Sequence, residues 1–139
     1  PNADIVVLDG ETEGQAQTCL KAIAAVKSSE PLTIGACDNG VLYNNEKFRS
    51  IFSHQKTDIV VWTARNFPNA RKNPNMYGWV EAKNSGEVSR TIIKDTPPDM
   101  ENYHLMIGTF SFKRAEIFEE LAEHLIAKNI RINGEFYIH

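Results

Sequence analysis

Long apolar runs are missing from this chain: no stretch approaches the roughly 20 residues a membrane-spanning helix needs, and no basic-then-apolar leader opens it. Neither membrane insertion nor export is expected, and the natural setting is the cytoplasm. Cysteine is scarce, with only Cys19 and Cys37, each inside an apolar segment that reads as core. A disulfide framework is therefore not expected. No charge of one sign dominates either: the formal net charge of -3 gives no broad footprint for nucleic acid or for an anionic membrane. An anionic ligand would have to be held locally. The four histidines lack metal-ligand spacing, which argues against zinc, and the chain has no Walker phosphate loop, no Gly-x-Gly-x-x-Gly and no nucleophile elbow.

What is present is ordinary globular material. The 139 residues, 42% hydrophobic and 24% charged, suit one domain with a real core. Asp4–Leu8 is a β-branched run ended by Asp9-Gly10, which predicts a buried strand. A helix is expected next, with Thr12 as N-cap and Ala16, Leu20, Ile23 and Val26 on one face. Leu32–Cys37 is short and apolar on both faces, the pattern of a parallel strand covered on both sides, so strand, helix and strand predict a βαβ unit. A weaker helix around Glu46 to His54 and a buried strand at Asp58–Thr63 continue the alternation. After the polar loop Ala64–Met76, Tyr77–Lys83 and Glu87–Lys94 flank Asn84-Ser85-Gly86 as a hairpin. A strand at Leu105–Phe112 follows, then an amphipathic helix at Arg114–Lys128 with Ile117, Phe118, Leu121, Ala122 and Leu125 inward.

Four places carry chemistry. Asp38 stands at the carboxyl end of the second predicted strand, where ligands gather in open parallel sheets. A carboxylate there suits Mg²⁺, commonly shared between one or two carboxylates and substrate phosphates. Asp38-Asn39-Gly40 reads equally well as a plain turn. Gly14 permits close backbone approach and Gln15 offers a donor and an acceptor to a base edge, although helix starts often contain both types. Arg65, Arg71 and Lys72 could neutralise phosphate or simply form a solvated basic loop. Lys94 could reach a sugar phosphate or merely end a strand before Pro97-Pro98.

Read together, these segments resemble the sugar-phosphate nucleotidylyltransferases, also called nucleoside-diphosphate-sugar pyrophosphorylases, in particular members from bacterial surface-polysaccharide pathways. Thr12-Glu13-Gly14-Gln15-Ala16 is similar to the family's base-recognition segment, and Ile34–Asn39 to the strand ending in the metal-binding aspartate. Met76–Val80 with Gly86 and Val88 resembles the hairpin whose Tyr-Gly step borders the sugar pocket. Ile92-Ile93-Lys94 sits where the family has Glu-Lys-Pro. Ile107–Phe110 is similar to the strand lining the sugar site, and Asn133–Tyr137 to the segment before the second metal ligand. The resemblance implies a three-layer, Rossmann-like mixed sheet of the nucleotide-diphospho-sugar transferase type. It also implies transfer of a nucleoside monophosphate unit from a nucleoside triphosphate to a sugar-1-phosphate, with release of pyrophosphate. The residues carried over are Asp38 for Mg²⁺, Gly14 and Gln15 for the base, Gly78, Lys94, Gly108 and Glu135 for the sugar phosphate, and Asp38 with Lys94 as the catalytic pair.

The departures are specific. The family opens with a Gly-rich loop that nothing before Asp4 supplies; the second metal-binding aspartate is expected just past Ile138, where His139 stands; and Lys94 is followed by Asp95-Thr96-Pro97. Residues 1–139 thus read as one partial domain, truncated at both ends and inactive alone, with oligomerisation left open. Two other readings stand beside this one. A glycosyltransferase of related architecture would use a strand-end aspartate with a nucleotide-sugar donor, against which Gly40 breaks the Asp-x-Asp pattern; a non-catalytic nucleotide- or sugar-binding domain would keep the fold without the phosphate loop.

Overall fold

The computed structural model describes residues 3–24, 26–53 and 56–138. Pro1, His54 and His139, on which parts of the sequence reading fall, lie outside the described residues. Three helices and five strands follow in the order α1 Gln15–Ile23, β1 Leu32–Ile34, α2 Asn45–Ser53, β2 Ile59–Ala64, β3 Gly78–Ala82, β4 Val88–Ile93, β5 Tyr103–Phe112 and α3 Ala115–Ala127. Two 3-10 turns, Pro68–Arg71 and Pro74–Met76, interrupt the polar loop before β3. The chain divides into two compact units, one formed by the segment up to Glu30 with Arg114–Ile138, the other by Pro31–Lys113.

The second unit holds the sheet. Every pairing between named strands is antiparallel: β1, β2 and β3 each pair with β5, and β4 pairs with β3. Phe112 and Phe110 face partners in both β1 and β2, so those two strands lie on opposite edges of β5. Leu105 faces both Ala64 and Trp79, which puts β3 on the same edge as β1. That edge is consequently paired at 103–105 and again at 110–112, with Met106–Thr109 unpaired between. Gly108 sits in this gap at φ 74, a backbone state that glycine adopts without strain. On the other edge the β2 register shifts between Val61 and Thr63, taking up the same irregularity.

The α/β class and most elements agree with the sequence; the parallel βαβ unit does not. Asp4–Leu8 forms no strand, and Ile5 and Val7 are 87% and 83% exposed. A β-branched run becomes a strand only when a neighbour completes its hydrogen-bond ladder, and none does so here. Leu32–Ile34 is antiparallel and stops four residues before Asp38; a run apolar on both faces reports burial, not direction. Cys37, read as core, is exposed in the bend after β1, while Cys19 is half-buried on α1 and burial pushes its thiol up.

One core cluster of this unit joins Ala70, Trp79, Tyr103 and Leu105, with Tyr77, Ile92 and Met100 against it. Around Trp62 a second group forms: Tyr43 and Phe48 bring their rings within 5.0 and 5.2 Å of it, and Phe52 follows Phe48 at 5.4 Å. In the first unit α1 packs on α3, whose buried stripe is Ala115, Phe118 and Ala122. Leu121, expected inward, is half exposed. Among the described residues no helix is long and apolar enough to cross a membrane.

Candidate functional site

The loop after β1 is tied into the gap in β5. Asn39 donates its side-chain amide to the Ile107 carbonyl at 2.8 Å, satisfying an acceptor that the unpaired edge leaves open. Asp38, next to it, is exposed, and among the described residues its carboxylate accepts one long 3.4 Å contact, from the same amide. A Cβ at Gly108 would stand 3.3 Å from that of Ala36, so the bulge and the loop are in near contact. Beside them opens a cavity of about 260 Å³ lined by Gly35, Asn39, Gly40, Tyr43, Trp62 and Thr109, among others. Trp62 Nε1 and Thr33 Oγ1 both bond Ser111 Oγ at 2.9 Å, fixing the strand face beneath it.

Gly78 and Lys94 arrive from β3 and β4. Gly78 opens β3 opposite Ile93, and a Cβ there would meet Met106 Sδ at 3.0 Å, so glycine keeps this strand close to the gap. Lys94 follows β4 in the left-handed region at φ 53; its amide bonds the Tyr77 carbonyl and its Nζ the Met76 carbonyl at 2.7 Å. Of the expected residues, Gly108 lies in the gap, Gly78 borders it and Asp38 sits in the loop tied to it, while Lys94 stands one strand farther out, after β4; none of the four lines the cavity beside the loop.

Gly14, Gln15 and Glu135 belong to the first unit. Gly14 is the N-cap of α1 at φ 124, and a Cβ there would lie 2.6 Å from the Phe136 amide nitrogen. Its first demand is therefore structural: the 135–136 backbone passes too close for any other residue. Ala16 N bonds Phe136 O and Phe136 N bonds Glu13 O, closing the contact. Arg131 locks it, pairing with Glu13 at 2.9 Å and lying 3.9 Å over the Phe136 ring. Thr12, expected as the cap, bonds Gly14 O and Thr18 instead. Gln15 begins α1, half-buried, and its side chain has no hydrogen-bond partner among the described residues. Glu135 is exposed, and Tyr137 donates to its carboxylate; that bond first, then burial and the negative charge, holds the Tyr137 phenol above its usual range.

Among the described residues no group of three or more His, Cys, Asp or Glu is arranged to hold a metal ion. Asp38 by itself fits a smaller share, one carboxylate ligand to a Mg²⁺ that substrate phosphates would complete. Arg65 and Arg71 line a separate cavity; Lys72, exposed on the same loop, does not line it. Asn39 and His104, the partner of Arg65, went unnoticed in the sequence because their roles depend on β5, far along the chain. The chain matches no family model and no curated protein.

Proposed function

We propose that this chain is part of a nucleotidyltransferase that joins a nucleoside monophosphate unit to a sugar-1-phosphate in surface-polysaccharide synthesis, on a Rossmann-like sheet of the nucleotide-diphospho-sugar transferase type. The observation that carries the reading is the gap in the β5 edge, with Gly108 in it, Gly78 beside it, the Asp38 loop tied to it through Asn39, and Lys94 at the end of the next strand out. A bulged strand edge left unpaired at Met106–Thr109, with an exposed carboxylate in the loop tied to it, suits a metal-bound phosphate.

In the reaction, an oxygen of the sugar-1-phosphate forms a bond to the α-phosphorus of the triphosphate as the α–β bridging bond breaks, and pyrophosphate leaves with the electron pair. Mg²⁺, when bound, offsets phosphate charge and fixes the oxygens. Asp38 would be its protein ligand. Lys94 would offset the sugar phosphate, Glu135 would accept sugar hydroxyls, and Gln15, beside Gly14, would read the base edge. Positioning and charge compensation, not covalent chemistry, make up the protein's contribution.

The test is pyrophosphate release by the natural protein with a panel of triphosphates and sugar-1-phosphates in Mg²⁺. Lys94→Met should raise KM for the sugar phosphate about tenfold or more, with a smaller effect on KM for the triphosphate. Equal changes in both constants would contradict the assignment of Lys94.

A further inference from the structure

We propose that the cavity between Arg65 and Arg71 is a second binding site, separate from the Asp38 loop, for a small organic anion: a flat ring bearing one phosphate or carboxylate group. The cavity has a volume of about 350 Å³, at the lower end of small-molecule sites, which suits one ring with one charged group and is too small for a dinucleotide. Most of its exposed lining is polar, set on a firmly built apolar base. Ala70, Trp79, Tyr103 and Leu105 are each less than 8% exposed and form one packed cluster, with Trp79 Nε1 fixed to the Pro74 carbonyl at 2.8 Å. Phe67, 44% exposed, adds an aromatic side chain to the lining.

The charged lining is two arginines against one carboxylate, that of Glu101. Arg65 Nη2 stands 3.3 Å from His104 Nε2; since a guanidinium only donates, that ring nitrogen is the acceptor and the histidine is neutral. The contact orients Arg65 and is its one side-chain hydrogen bond among the described residues. Arg71 has no ion pair and no side-chain hydrogen bond among the described residues. Glu101, the one acidic residue of the lining, pairs with neither arginine among the described residues. Two forked donors beside a rigid aromatic wall, in a chain of net charge -3, form a local receptor for a planar or tetrahedral oxyanion attached to a ring.

The proposal does not depend on nucleotidyl transfer, and its test keeps the two apart. Calorimetric titration of the chain with phenyl phosphate, benzoate and inorganic phosphate at fixed ionic strength should give a ring-bearing anion at least tenfold tighter than inorganic phosphate. Whichever of phenyl phosphate and benzoate binds tighter names the anionic group. Arg71→Ala, at an exposed position, should weaken that binding at least tenfold with no change in melting temperature, and Asp38→Ala should leave it unaltered. Absence of binding, inorganic phosphate binding as tightly as both ring anions, full affinity in Arg71→Ala, or its loss in Asp38→Ala would each overturn the assignment.

Discussion

At the scale of single residues, Gly14 and His104 make the firmest claims. Gly14 combines a positive φ with backbone 2.6 Å from where a Cβ would stand, so Gly14→Ala should lose about 1–3 kcal/mol in urea unfolding from the strained conformation, with the clash in addition. Wild-type stability in that variant would mean that the 135–136 segment does not lie against α1. His104 is held below its usual range, first by burial and then by the charge of Arg65. Its contribution to stability is therefore present above the ordinary histidine value of about 6.5 and is lost as pH falls below it. The melting temperature should drop between pH 7.5 and pH 5, and His104→Gln should drop by less. The two cysteines offer a chemical check on burial: Cys37 should react with a maleimide well before Cys19, whose thiol is half-buried and harder to ionise. Little of this was legible in the sequence. A lone Gly before a helix and a lone His in a strand have common structural explanations, and only the backbone opposite Gly14 and the guanidinium beside His104 separate them from the rest.

Among the elements, the decisive feature is that β1 and β3 share one edge of β5 and leave Met106–Thr109 between them. The hairpin, α2, β2, β5 and α3 could all be read from pattern, because local periodicity and the Asn84-Ser85-Gly86 turn act within a few residues. Strand direction and the gap could not, since they depend on pairing between residues 22 to 26 positions apart for β3 and 76 to 80 apart for β1. The same limit explains Asp4–Leu8: its β-branched residues favour a strand, but the ladder partner must come from elsewhere. Asn39 converts the gap into a fixed loop through one bond to Ile107 O. Asn39→Ala should therefore cost about 0.5–1.5 kcal/mol in stability and increase hydrogen exchange at residues 36–41. Unchanged exchange there would mean that the loop is held by other contacts.

For the molecule as a whole, the expected residues divide between the two compact units: Gly14, Gln15 and Glu135 in one, Asp38, Gly78, Lys94 and Gly108 in the other. The mild net charge leaves no general attraction for polyanions, so the proposed phosphate recognition would rest on a few placed groups. The sequence reading put Asp38 at the carboxyl end of a parallel strand. It is not the last residue of a parallel strand but an exposed carboxylate in a loop tethered to a bulged antiparallel one. The measurement that tests the account most directly is Mg²⁺-dependent pyrophosphate release by the natural protein, wild type against Asp38→Ala, with triphosphate and sugar-1-phosphate saturating. Loss of a metal-binding carboxylate should lower turnover about 100-fold or more while the fold is retained. Near-normal turnover in Asp38→Ala would contradict it.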